Sequence, residues 1–252
     1  MRIFVPPEDI VKKERVRLSA DKAKYLISVL RSKKGDKIDV IDGRGKAYNA
    51  YIAEISKKHA VINILQETHA DIESAINLIL CQGILKGEKM DLVIQKATEL
   101  GVNAIVPVIT ERCVVKETRK VKRWQKITEE AAEQCGRTVI PKVHEPVELG
   151  SLFMNHGSQM NGFIFWEEGG ISLKEAVGKV ITSPSLHNSN TPIFIVVGPE
   201  GGFTAEEVKL AERSGLIMTT LGRRILRAET AAIVSAALVQ FLMESAFSPD
   251  GQ

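Results

Sequence analysis

At 252 residues the chain is long enough for one large domain or two modest ones, each able to bury a core. A hydrophobic content of 44% beside 26% charged residues is that of a globular protein, and no run approaches the roughly 18 consecutive apolar residues of a membrane span. The net charge is only +3, and Cys81, Cys113 and Cys135 have neither CxxC spacing nor a His partner, which argues against a disulfide scaffold or a metal site. A cytoplasmic protein is expected.

The first seventy residues hold fifteen Lys and Arg against nine Asp and Glu, and they read mostly as strands. Residues 37–67 alternate apolar and polar positions, with Asp42-Gly43 and Gly45 marking a hairpin turn. One helix over 20–30 has Ser19 or Asp21 available as its cap. Short strands around a single helix predict a small β-barrel-like module. Polar residues gather at 68–74, so the boundary is expected there, between domains 1–72 and 73–252.

Beyond the boundary the rhythm becomes strand–helix alternation. An apolar strand is expected at 76–83, an amphipathic helix at 89–101 closed by Gly101, and a strand at 102–109. A charged helix comes next at 121–136, then a strand at 163–166, a helix at 172–180 and a polar loop at 182–191. This alternation predicts an α/β fold with a mostly parallel sheet covered by helices on both faces. A second basic cluster, Arg112, Lys116, Arg119, Lys120, Lys122, Arg123 and Lys126, precedes and enters the long helix. Two basic segments are the footprint of phosphate binding, although a solvated face has the same composition.

The C-terminal third repeats one device. In 193–208 (IFIVVGPEGGFTAEEV) an apolar run stops at Gly198, a polar loop comes after it, and Thr204 with Glu207 reads as a capping box opening a helix. In 219–238 (TTLGRRILRAETAAIVSAAL) a strand stops at Gly222, three arginines come after it, and a small-residue helix begins near Glu229. A strand that breaks at glycine before a helix lets bare backbone approach a ligand beyond the carboxyl end of the sheet. Neither segment is GxGxxG or GxxxxGK[ST], which disfavours a dinucleotide site or a P-loop. On local pattern alone a tight turn and a ligand loop both fit.

The sequences GPEGGFT (198–204) and LGRRILRAETAA (221–232) resemble the signature of the SPOUT superfamily of methyltransferases. With QKATELGV (95–102), TERCVV (110–115), RWQKITEEAAEQCGR (123–137) and the opening MRIFV, nearly the whole chain is similar to the ribosomal RNA small-subunit methyltransferase E family. Cys113 and Cys135 stand where serine is more usual. The resemblance implies a PUA-like β-barrel ahead of a SPOUT-type α/β domain with a C-terminal trefoil knot, which topology rules alone would reject. It implies a homodimer that uses S-adenosylmethionine (AdoMet) to methylate N3 of a uridine in 16S rRNA of the small ribosomal subunit, with no metal.

On the same resemblance, AdoMet would be held by Glu167, by Val197, Gly198, Pro199, Glu200, Gly201 and Gly202, and by Leu221, Gly222, Ile225, Leu226, Arg227, Ala228 and Thr230. Arginine stays protonated, so Arg112 and Arg227 are assigned to stabilising the uridine anion or binding phosphate, and Glu229 to orienting an arginine or the cofactor. Arg2, Arg17, Arg31, Arg123 and Arg137 are the expected RNA contacts, with Glu133 and Gln134 near the site. Alternatives are a sister SPOUT enzyme acting on tRNA or 23S rRNA, and a non-catalytic RNA-binding dimer.

Overall fold

Residues 2–10, 15–56, 58–68, 72–156, 160–183, 186 and 191–247 are described by the structure, a computed structural model. The boundary expected at 68–74 and the loop expected at 182–191 lie partly outside them. The chain divides into two compact units, Met1–Glu73 with Glu129–Ile140, and Ser74–Thr128 with Pro141–Gln252. Residues 129–140 thus group with the N-terminal residues, a return that no local pattern announces.

The first unit contains β1 (Arg2–Phe4), β2 (Arg15–Leu18), β3 (Lys37–Ile41), β4 (Ala47–Ile55) and β5 (Ala60–Thr68), with helices α1 (Pro7–Ile10) and α2 (Ala20–Ser28). The strands form one sheet in the order β1-β3-β4-β5-β2, antiparallel except where β1 lies parallel to β3. Ser19 caps α2 by accepting the Lys22 N–H. The expected hairpin turn joins β3 to β4, and Asp42 Oδ1 accepts the N–H groups of Arg44 and Lys46 at 2.7 and 3.0 Å. Ile3, Val16, Leu26, Ile38, Ile52 and Ile62 fill its core.

Glu73 and Arg137 lock this unit. Arg137 forks onto Glu73 Oε2 at 2.8 and 3.0 Å, while Glu73 Oε1 accepts the N–H groups of Thr138 and Val139. Burial pushes the Glu73 carboxyl up, but the Arg137 guanidinium and these backbone donors outweigh it and hold the carboxyl below its ordinary value. A lowered folded-state value contributes stability above the unfolded carboxylate range and loses it as pH falls through the folded value. Glu73→Gln leaves Arg137 without its counter-charge and is expected to lose about 3 kcal/mol at neutral pH. In urea denaturation the gap from the parent protein should narrow towards pH 3, and a gap that stays constant with pH would contradict the linkage.

The second unit contains β6 (Leu78–Gly83), β7 (Ala104–Ile109), β8 (Lys142–Val143), β9 (Val147–Glu148), β10 (Asn161–Phe165), β11 (Ile171–Ser172), β12 (Ile193–Val197) and β13 (Ile217–Thr220). They lie in the order β11-β13-β10-β12-β6-β7-β8, with β9 also beside β7, and every pairing is parallel. The helices are α3 (Lys89–Glu99), α4 (Val121–Cys135), whose last residues belong to the first unit, α5 (Leu149–His156), α6 (Leu173–Ile181), α7 (Ala205–Arg213) and α8 (Ala228–Phe247). Every residue of β12 is buried. Ile193, Ile195 and Val197 join one apolar cluster with residues of α3, α6 and α8, and Phe194 and Val196 join another with residues of α5 and α7. Helices therefore cover both faces, as the unbroken apolar run of β12 requires.

Candidate active site

In the order β13-β10-β12 three neighbouring parallel strands end at the same edge of the sheet. The chain leaving each one contributes a wall: Trp166 and Glu167 after β10, Gly198, Pro199, Glu200 and Gly202 after β12, and residues 221–228 after β13. These walls enclose a cavity of about 270 Å³, and α8 starts inside its lining with Ala228, Glu229 and Ala231. An open α/β sheet binds ligands at this edge.

Glycine sets how closely the walls approach. Gly202 has φ +69°, and a Cβ there would land on the Glu167 carboxylate. A Cβ on Gly83, the last residue of β6, would come within 2.6 Å of Pro199 Cδ and 2.8 Å of the Gly198 carbonyl carbon. Gln82 ties the two segments together, its Nε2 donating to the carbonyls of Gly83 and Gly198 at 2.9 and 3.1 Å. The capping box forms, Thr204 accepting the Glu207 N–H while Glu207 accepts that of Thr204.

Of the expected cofactor residues, Glu167, Val197, Gly198, Pro199, Glu200 and Gly202 line the cavity from one side. Leu221, Gly222, Ile225, Leu226, Arg227 and Ala228 line it from the other, together with Glu229. Ile225 stands at the rim with 83% of its surface exposed. Three expected residues lie elsewhere. Thr230 is exposed on α8 outside the lining. A Cβ on Gly201 would meet Arg112 Cβ at 2.9 Å, so this glycine faces Arg112 and not the cavity. Arg112 itself donates to the Gly201 carbonyl at 3.2 Å, bracing the loop from outside.

Lys89, Phe165, Trp166, Thr220 and Ala231 also line the cavity and were not expected there. Lys89 opens the helix after β6, so applying the strand-end rule to β6 as well would have found it. Lys89 Nζ lies 3.1 Å from Glu200 Oε1 and 3.8 Å from Glu229 Oε2. Burial raises the Glu200 carboxyl, but its own backbone N–H, the Lys89 ammonium and the Lys86 N–H hold it below its ordinary value. Two buried polar atoms of the lining, Glu229 Oε2 and Trp166 Nε1, make no hydrogen bond among the described residues.

The expected RNA arginines have different fates. Arg17 and Arg31 are exposed. Arg2 is half-buried with its Nε enclosed. Arg123 forks onto Asp91 Oδ2 at 2.8 and 3.0 Å beside the buried Trp124, whose indole donates to the other oxygen, so Trp124 is a packing residue. Arg137 must be corrected: its side chain is 6% exposed and held by Glu73, which removes it from any RNA surface. Glu133 accepts the Phe4 N–H and pairs with Lys22, committing it to the first unit, and Gln134 is exposed.

Among the described residues no cluster of His, Cys, Asp or Glu could hold a metal ion, and no helix is long and apolar enough to cross a membrane. A family model described as an RNA methyltransferase domain matches residues 72–240, and one described as an RNA methyltransferase PUA domain matches residues 18–65. Fold and site together therefore define an RNA methyltransferase. The chain is 35% identical to the ribosomal RNA small subunit methyltransferase E of Synechocystis over 97% of its own length and 78% of that protein, and 30% identical to that of Bacillus subtilis over 90% of each. The Neisseria gonorrhoeae enzyme of the same name, crystallised with S-adenosyl methionine, superimposes with a TM-score of 0.84 at 35% identity over 96% of this chain and 97% of that one. The chain belongs to the ribosomal RNA small subunit methyltransferase E family.

Proposed function

We infer that the protein is an AdoMet-dependent methyltransferase that methylates N3 of a uridine in 16S rRNA of the small ribosomal subunit. The observation that carries this is the cavity walled by the two glycine-broken turns, in a chain alike over nearly its whole length to enzymes of that name. The residues present fit AdoMet: Gly198 and Gly202, where a Cβ would press on Phe203 and on Glu167, let the wall form from bare backbone, apolar Val197, Leu226 and Ala228 can flank a heterocycle, and Glu229 Oε2 and Trp166 Nε1 offer unused hydrogen-bonding capacity.

When bound, AdoMet supplies an electrophilic methyl group on a sulfonium. The chain's own residues hold the reactants in line, which removes much of the entropic barrier. The uracil must leave its stack to reach the cavity, and its N3 must give up its proton to solvent so that the N–C bond can form as the sulfur–methyl bond breaks. Arg227 lines the cavity, where a guanidinium is suited to stabilising the uridine anion. Glu229, at the start of α8, orients the donor. Arg112 acts through the loop it braces.

The N-terminal unit, a PUA-like barrel in this reading, contributes RNA affinity through exposed residues such as Arg17 and Arg31. The C-terminal segment forms a trefoil knot, a reading supported by β13 entering the sheet beyond β10 while α8 packs against β6 and β12. A homodimer is supported by Leu238 and Phe241, exposed at 41% and 68% on α8, whose opposite side is core. The protein acts in the cytoplasm.

The test is mass spectrometry of 16S rRNA from a strain lacking the protein. Loss of one N3-methyluridine, restored by the parent gene, is expected. A retained modification would turn the reading towards a tRNA or 23S rRNA substrate. Light scattering should give twice the chain mass, and a monomer would remove the dimer from the proposal.

A further inference from the structure

The cavity has two characters. Phe165, Val197, Leu226, Ala228 and Ala231 give it an apolar part, while Lys89, Glu200 and Glu229 bring opposite charges together. The charged set is unevenly satisfied. Lys89 closes a direct pair with Glu200 at 3.1 Å, and the Lys86 N–H donates to the same Glu200 oxygen at 3.2 Å, so Glu200 is well supplied. Glu229 is not. Its side chain is 12% exposed, Lys89 Nζ stays 3.8 Å from Oε2, and that buried oxygen accepts no hydrogen bond among the described residues. A buried carboxylate oxygen without a donor is costly, and one facing a ligand cavity is positioned to receive a donor from the ligand.

An ammonium held between two carboxylates, with one carboxylate oxygen unfilled, complements an amino acid zwitterion. The α-carboxylate meets Lys89 and the α-ammonium meets Glu229 Oε2, each a charge-assisted hydrogen bond. Glu200 then serves as the anchor that keeps Lys89 over the cavity. Resting on the AdoMet reading above, we propose that Lys89 and Glu229 form the subsite for the methionine tail of the cofactor, with Glu200 as the residue that positions Lys89. The pair would set specificity for nucleosides that carry an amino acid tail over those that carry only adenine, ribose and a thioether.

The consequence is separable from cofactor binding in general. S-adenosylhomocysteine has the tail, whereas 5′-methylthioadenosine keeps the adenine, ribose and sulfur and lacks it. Calorimetry on the full-length protein should show the parent binding S-adenosylhomocysteine about 100-fold tighter than methylthioadenosine, equivalent to two charge-assisted contacts. Lys89→Met and Glu229→Gln should each cut that preference to about 10-fold or less, with methylthioadenosine affinity unchanged within about twofold. That unchanged affinity doubles as the control that each variant is folded. If either variant weakens both ligands equally, its residue holds the ribose or the fold and the tail subsite is overturned. A parent protein that binds both ligands without preference overturns it as well. A parent that binds neither refutes the AdoMet reading itself, and the subsite with it.

Discussion

Gly202→Val is expected to weaken AdoMet binding by at least about 100-fold while the protein stays folded. Gly202 has φ +69°, in the left-handed region that a β-branched residue reaches only at a cost of about 1–2 kcal/mol. Its new side chain would also occupy the position of the Glu167 carboxylate on the cavity wall. Both effects fall on a loop beyond the sheet, so the thermal midpoint should drop by only a few degrees. Gly201→Val is the informative contrast. Its side chain would push on Arg112 behind the loop, and the expected loss of affinity is smaller, about 10-fold. Calorimetry on both variants is the measurement. Parent-like affinity in Gly202→Val, or equal losses in the two, would show that Gly202 does not shape the ligand site.

Gly83→Ala is expected to strike stability and binding together. Gly83 ends a central strand, and the added methyl would meet the backbone of Pro199 and the Gly198 carbonyl carbon, neither of which can rotate away as a side chain can. Overpacking of this kind typically costs about 1–3 kcal/mol. The upper end is expected here, because Gln82 fastens the same two segments. The loop that retreats carries Pro199 and Glu200 out of the cavity lining, so AdoMet affinity should fall about 10-fold or more. Chemical denaturation and calorimetry read the two effects separately. An unchanged midpoint with unchanged affinity would mean that the 198–202 loop is free to shift, contrary to its tight contact with β6.

Much of the second unit was legible because its signals are local. The apolar run at 193–197, the Thr204–Glu207 capping box and the glycine stops at 198 and 222 each fix a neighbour a few residues away, and each forms where expected. Helix α5 was missed: Leu149–His156 carries Gly150 near its start and too few polar residues to mark a face. Residues 129–140 read as a helix end and the loop after it, yet they group with the N-terminal unit, where contacts such as the Glu73–Arg137 pair join residues sixty-four positions apart. No periodicity encodes a partner at that distance. The burial of Arg137 stems from the same contact and could not be read from an arginine in a basic stretch.

The site divided along the same line. Residues within the two turns were legible by type and position. Trp166 and Gln82 were not, because they reach the cavity or its supporting loop only through the strand order β13-β10-β12-β6. The order of strands in a parallel sheet depends on crossover connections, whose lengths say nothing about which neighbour is chosen. Gly201 shows the converse limit. It shares its loop and residue type with Gly202, and only the backbone direction decides that one faces Arg112 and the other Glu167 on the cavity wall.

The parallel order also has a bearing on how the molecule comes into being. Strands that neighbour one another at the cavity are separated along the chain by other elements, and parallel pairings of this kind form slowly because long loops must close first. The last wall comes from residues 221–231, which are made after β6, β10 and β12. A nascent chain still held by the ribosome at that point has β6, β10 and β12 but not the residues that complete the cavity. Cofactor capture thereby waits for the last of the walls, and the methyl donor becomes a ligand that rewards completion of the cavity.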